Sequence, residues 1–196
     1  MNQVKTTSGK FTPPQFSEVI FKTSRFTAMK EWYETVTDVQ AFFMRNDATK
    51  PTWAGAYNIA FIRIFSDHPY TQVLGIFEVP KVSGQADNQK GEPGMHHMQL
   101  RHVGLDHLFS RYEALRALRI TPMRSFNHGP GTSFYYHDPD GNTVELSSAN
   151  FVHESDYLAY FRSASYAKNI SGIEIDPVDY VARFRAGTSQ EELVRF

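Results

Sequence analysis

One short pattern occurs twice in this chain. FSEVIFKT at 16–23 alternates apolar and polar side chains with the period of a half-buried strand, and Met29, Trp32, Tyr33 and Val36 then fall at helical spacing. MHHMQLRH at 95–102 is again strand-like, and Leu108, Tyr112 and Leu115 again form one stripe of a helix over 105–118. At an offset of 79 the copies align Glu18 with His97, Phe21 with Leu100, Lys22 with Arg101 and Tyr33 with Tyr112, without a gap. The chain is therefore read as two copies of one supersecondary unit.

Each copy continues with strands. In the first, Ser24 is the expected cap of the helix, and strand-like pieces follow at 57–65 and 72–79. In the second, SFYYH (133–137) and TVELS (143–147) flank DPDGN, a hairpin turn whose Gly141 and Asn142 suit positive φ. The expected organisation is an N-terminal arm over 1–13, a first module over 14–80 and a Gly-rich polar linker over 81–94. A second module then spans 95–150, and a tail over 151–196 carries helices near 154–166 and 177–186.

Composition narrows the function classes. At 196 residues, 41% hydrophobic and 21% charged, the chain can bury a core and is not disordered as a whole. A net charge of -1 with scattered basic residues gives no surface for tracking phosphates, which excludes nucleic acid as the expected partner. No apolar run approaches the ~18 residues that span a bilayer, and the N-terminal stretch lacks the apolar segment of a secretory signal. A cytoplasmic location follows as the expectation. There is no cysteine, so disulfide scaffolds, thiol catalysis and thiolate metal sites are all excluded. Any metal must be held by His, Asp or Glu.

Strand alternation sorts the polar residues onto one side. His97, Gln99 and Arg101 oppose His96, Met98 and Leu100; Thr143, Glu145 and Ser147 oppose Val144 and Leu146. Likewise Ser133, Tyr135 and His137 oppose Phe134 and Tyr136, and Glu18, Ile20 and Lys22 oppose Val19 and Phe21. The apolar faces suit packing on a helix, with His96 among them. The polar faces gather Glu18, His97, Tyr135 and Glu145, a set suited to a metal and an oxygen-rich ligand.

The stretch from Met95 to Phe151, most specifically NHGPGTSFYYHDPDGNTVEL (127–146), resembles the vicinal oxygen chelate superfamily. Within it the likeness is to the small type I extradiol catechol dioxygenases, and it runs from about Phe16 into the tail. The resemblance implies an α+β fold of paired βαβββ modules whose curved mixed sheets surround a central metal- and ligand-binding cavity. It implies a divalent metal, Fe(II) above Mn(II), Mg(II) or Zn(II), with His97 and Glu145 as ligands. It also places His128 as acid/base and Tyr135 as hydrogen-bond donor beside a small aromatic substrate with vicinal oxygens, with O2 as co-substrate. Proteins of this kind often dimerise, so a homodimer is expected. His102, His107, His137 and His153 are read as non-ligands.

One position departs from the resemblance. Where those enzymes carry a first-module His ligand, this chain has Glu18. Two His and one Glu leave a divalent site at +1, whereas two Glu and one His leave it neutral. Opposite charges at ~4 Å attract by roughly 4 kcal/mol at an effective dielectric of about 20, so the change bears on binding of a catecholate. Three functions stay open on sequence alone: a ring-cleaving dioxygenase, a redox-neutral lyase, isomerase or cyclase, and a metal-free protein that sequesters its ligand.

Overall fold

A computed structural model describes residues 15–47, 49–52, 55–67, 70–80 and 95–195. The expected arm over 1–13 and the linker over 81–94 lie outside the described residues. The chain divides into two compact units, Met1–Ser83 and Gly84–Phe196.

In the first unit, β1 (Glu18–Thr23) leads into α1 (Phe26–Thr37), followed by β2 (Ala41–Asn46), β3 (Asn58–Asp67) and β4 (Tyr70–Glu78). The sheet order is β1-β4-β3-β2, with β1 parallel to β4 and the remaining pairs antiparallel. Met29, Tyr33 and Val36, on one stripe of α1, are fully buried where the helix packs on β3 and β4 with Ile62 and Ile76. Ser24 does not cap this helix. The capping position is Arg25, which has no side-chain cap bond; its N–H donates instead to Thr23 Oγ1 at 2.8 Å. At the other end Asp38 closes the helix at φ 61°.

The second unit repeats the connectivity. β5 (Met98–His102), α2 (Gly104–Ala117), β6 (Arg124–Asn127), β7 (Gly131–His137) and β8 (Thr143–Ala149) follow in order, with β5 parallel to β8. The tail adds α3 (Glu154–Tyr160), α4 (Ala164–Lys168), β9 (Ile173–Glu174), α5 (Pro177–Arg185) and α6 (Gln190–Val194). The sheet order is β5-β8-β7-β6-β9, so the tail contributes its own strand at the β6 edge. The core lies between α2 and one sheet face: Leu105, Leu108, Phe109, Tyr112 and Leu115 meet Phe134, Tyr136, Val144 and Leu146. Phe184 of α5 stands edge-on to Phe109 at 5.0 Å, and Arg185 pairs with Asp106 and Glu113 of α2, holding the tail to the module.

The chain is thus α+β with two mixed sheets, as the repeat implies. Some elements differ from expectation. The single helix expected over 154–166 is two, because Ser163 accepts from the Tyr166 N–H at 3.1 Å and starts a new helix there. In the DPDGN turn only Gly141 takes positive φ; Asn142 instead donates its N–H and side-chain amide to the Asp138 carboxylate, both at 2.8 Å.

Candidate functional site

The polar face of the second sheet is built by register. Arg124, Tyr135, Glu145 and Gln99 lie side by side across β6, β7, β8 and β5. Their neighbours Phe134, Val144 and Leu146 are committed to the helix side, so alternation fixes the direction of all four.

Glu145 is the centre of this face. It is only 3% exposed, yet both its oxygens are engaged. Oε1 accepts from Ser133 Oγ at 2.6 Å and from Gln99 Nε2 at 2.7 Å, while Oε2 faces His97 Nε2 at 2.9 Å. A buried carboxylate needs such donors, because desolvation without them costs several kcal/mol. His97 immediately precedes β5, and its side chain is one-third exposed. Its neighbour His96 corrects the expectation of a packing role: it is exposed, with Nδ1 2.7 Å from His97 Nδ1. Both residues lie before the first residue of β5, where strand alternation no longer sets direction.

Beside it stands a second couple, with the Tyr135 ring edge-on to His97 at 6.0 Å between centroids. His128 Nε2 is 2.9 Å from the Tyr135 hydroxyl, and His128 Nδ1 is 2.7 Å from the Ser171 carbonyl oxygen. The imidazole lies nearly flat on Phe126, with centroids 5.3 Å apart and planes 8° apart. Burial, with the nearby Glu145 charge as the next cause, pushes the Tyr135 phenol up to about 12. It therefore stays protonated at any physiological pH and acts as a hydrogen-bond donor or acceptor. Arg124 lays its guanidinium over the Tyr135 ring, 4.8 Å from the centroid.

The NHG turn that carries His128 is held on both sides. The His128 N–H donates to the Gly131 carbonyl at 2.8 Å, and Asn150 Nδ2 reaches both Asn127 Oδ1 and the Gly129 carbonyl at 2.9 Å. Gly129 has φ +90°, and a Cβ there would meet the Tyr160 ring. The positive φ is what calls for glycine there, and a Cβ would also displace the end of the Tyr160 side chain.

Of the five residues expected at the site, four sit on this one sheet face: His97, Glu145, His128 and Tyr135. Glu18 belongs to the first unit, where it begins β1 opposite Val73 and is exposed. Among the described residues no group of three or more His, Asp or Glu side chains is assembled that could hold a metal ion. His97 and Glu145 supply two donors of a kind suited to borderline divalent ions. Ligands at about 2.1 Å and at right angles stand about 3.0 Å apart, close to the separation of these two atoms. The same separation serves a hydrogen bond when no ion is bound. Gln99 and Ser133 hold Glu145 and were given no role from sequence, although alternation puts both on its face. Ser171 acts through a backbone carbonyl, which no side-chain pattern could reveal.

A family model described as the Glyoxalase/Bleomycin resistance protein/Dioxygenase superfamily matches residues 16–146. Biphenyl-2,3-diol 1,2-dioxygenase 2 of Rhodococcus globerulus is 33% identical over 92% of this chain and 86% of its own. Biphenyl-2,3-diol 1,2-dioxygenase 3 of the same organism is 26% identical over 92% of this chain and 87% of its own. Among solved structures, a glyoxylase/bleomycin resistance protein/dioxygenase domain from Frankia sp. EAN1pec matches with TM-score 0.52 and 14% identity, covering 70% of this chain and 98% of that one. That last likeness concerns the fold alone.

Proposed function

Because the chain belongs to the glyoxalase/bleomycin resistance protein/dioxygenase superfamily, we propose that it is a mononuclear metal-dependent enzyme that cleaves the ring of a small aromatic diol with O2 as co-substrate. The observation that carries this reading is the adjacency of two pairs on one sheet face, His97 with Glu145 and His128 with Tyr135. The relative named for biphenyl-2,3-diol supports the reaction and the substrate class, and makes that diol the first compound to test.

In this reading the metal is Fe(II), with Mn(II), Mg(II) and Zn(II) as alternatives, held by His97, Glu145 and, carried over along the sequence, Glu18. When bound, the ion supplies charge stabilisation and a common template for the diol and dioxygen. The chain's own residues do the rest. Ser133 and Gln99 fix the Glu145 carboxylate and leave Oε2 for the ion. His128 takes up and returns a proton at Nε2. Tyr135, kept protonated by its burial, donates to a substrate oxygen once the diol replaces His128 Nε2 as its acceptor.

Glu18 favours one second reading. A carboxylate in place of the first-module His makes the site neutral and offers a base, which suits a redox-neutral lyase, isomerase or cyclase. An oxygen electrode distinguishes the two. Dioxygen uptake in step with loss of biphenyl-2,3-diol by the metal-loaded protein is the expected result. Metal-dependent conversion without oxygen uptake would favour the redox-neutral reading, and diol binding by metal-free protein without conversion would favour sequestration.

A further inference from the structure

The tail does more than cover the second module. We propose that the segment 169–175 is the positioning element of His128: the Ser171 carbonyl fixes the imidazole as the Nδ1–H tautomer and leaves the Nε2 lone pair facing the Tyr135 hydroxyl. This rests on the dioxygenase reading only for its consequence in turnover; the positioning itself rests on the contacts below.

A carbonyl oxygen can only accept a hydrogen bond, so the 2.7 Å contact from Ser171 requires a proton on Nδ1. A neutral ring then has a bare Nε2, and the Tyr135 hydroxyl at 2.9 Å is the donor to it. The opposite tautomer would set the Nδ1 lone pair against the lone pairs of the Ser171 oxygen. With Phe126 fixing the ring plane, both soft torsions of His128 are held, and its basic nitrogen is aimed across the polar face towards Tyr135. This is the arrangement an acid/base group needs before substrate arrives.

The backbone comes this close because residue 172 is glycine. Gly172 has φ +80°, and a Cβ there would lie 2.5 Å from the His128 Cα and closer still to the Asn127 carbonyl oxygen. Both obstacles are backbone atoms, which cannot swing away. The segment is also braced from within: Asn169 Oδ1 accepts from the Gly172 N–H at 3.0 Å, and Asn169 Nδ2 donates to the Gly172 carbonyl at 2.9 Å. Immediately beyond, Ile173 and Glu174 pair with Asn127 and Phe126, and the Ile175 N–H reaches the Ser125 carbonyl at 3.0 Å. Further on, Asn127 Nδ2 donates to the Val194 carbonyl at 2.8 Å. The Ser171 side chain is exposed and plays no part. The segment 169–175 itself lies beyond residue 146, where the family match ends.

The test uses the full chain with 15N-labelled histidine. Long-range proton–nitrogen correlation, assigned with His128→Gln, should show a pyrrole-type Nδ1 and a pyridine-type Nε2 for His128 at neutral pH. Gly172→Ala should mix the tautomers and lower kcat by about 10–100-fold, the range for lost outer-sphere orientation, while KM and metal content change little. Asn169→Ala, which only loosens the brace, should shift both readouts in the same direction and serves if Gly172→Ala does not fold. A protonated Nε2 with a bare Nδ1 in the parent chain would overturn the proposal, as would the parent tautomer and kcat persisting in folded Gly172→Ala or Asn169→Ala. If the tautomer responds as expected but no ring cleavage is found, the positioning role stands and the dioxygenase reading falls.

Discussion

Replacing Tyr135 with Phe removes one oxygen and keeps the ring. That oxygen lies 2.9 Å from His128 Nε2, in a side chain only 6% exposed. A typical intramolecular hydrogen bond contributes about 0.5–1.5 kcal/mol net. His128 is half-buried and can take water instead, so stability should fall by about 1 kcal/mol or less. For a unit of this size that is a melting shift of roughly 4–8 °C at most. Turnover on the diol should fall far more, by about 10²–10⁴, as for loss of a proton-handling partner. At 1.36 kcal/mol per decade this is about 3–5 kcal/mol of barrier, well beyond the folding contribution of the same bond. Metal content should not change, because the phenol is not among the ligands.

A pH dependence accompanies the substitution. The folded-state phenol titrates near 12, above its ordinary value of 10.0, because burial penalises the phenolate. Its contribution to stability is therefore complete below pH 10 and is lost as pH rises from about 10 towards 12. The Phe variant should unfold less steeply across that alkaline window. Steady-state kinetics, thermal melts and metal analysis on one preparation check all three statements. Turnover close to that of the parent chain in a folded, metal-bearing variant would refute the reasoning.

Three further outcomes are expected. His128→Ala should retain metal, as read by elemental analysis, and lose about 10²–10⁴ in kcat. Tyr136→Phe should stabilise the protein by roughly 1–3 kcal/mol in urea denaturation, because it removes a buried hydroxyl that has no hydrogen-bond partner among the described residues. Glu18→His restores a charge of +1 to the proposed site, so Fe(II) affinity should hold or rise and catechol binding tighten in a titration. If Glu18 is instead a catalytic base, the same variant should keep its metal and lose turnover.

The parts of the fold legible in the sequence were those where one face is apolar and the other polar. Phe134 and Tyr136 against Ser133 and Tyr135 admit one direction only, and the helix stripe Leu108, Tyr112 and Leu115 admits one core. Missed were elements without that contrast. β2 is an edge strand whose Phe42, Phe43 and Met44 are all exposed, so AFFMRN shows no alternation. β6 has four residues and buries Ser125 and Asn127, polar groups that read as loop. β9 has only two, and its pairing with β6 is a non-local contact that no local pattern encodes. At the site, alternation put Tyr135 and Glu145 on one face, and His97, just before β5, meets Glu145 there through its own side chain. His96 escaped because it precedes the strand, and the Ser171 contact escaped because it is made by backbone.

The most direct test of the account is elemental analysis of the full chain purified without added metal, beside its Glu145→Gln variant. Glutamine keeps an oxygen for Ser133 and Gln99 but removes the anionic Oε2 that faces His97. Close to one equivalent of a divalent metal, chiefly iron, is expected in the parent chain, with its loss in a folded variant. No metal in the parent, or the same metal content in both proteins, would contradict it.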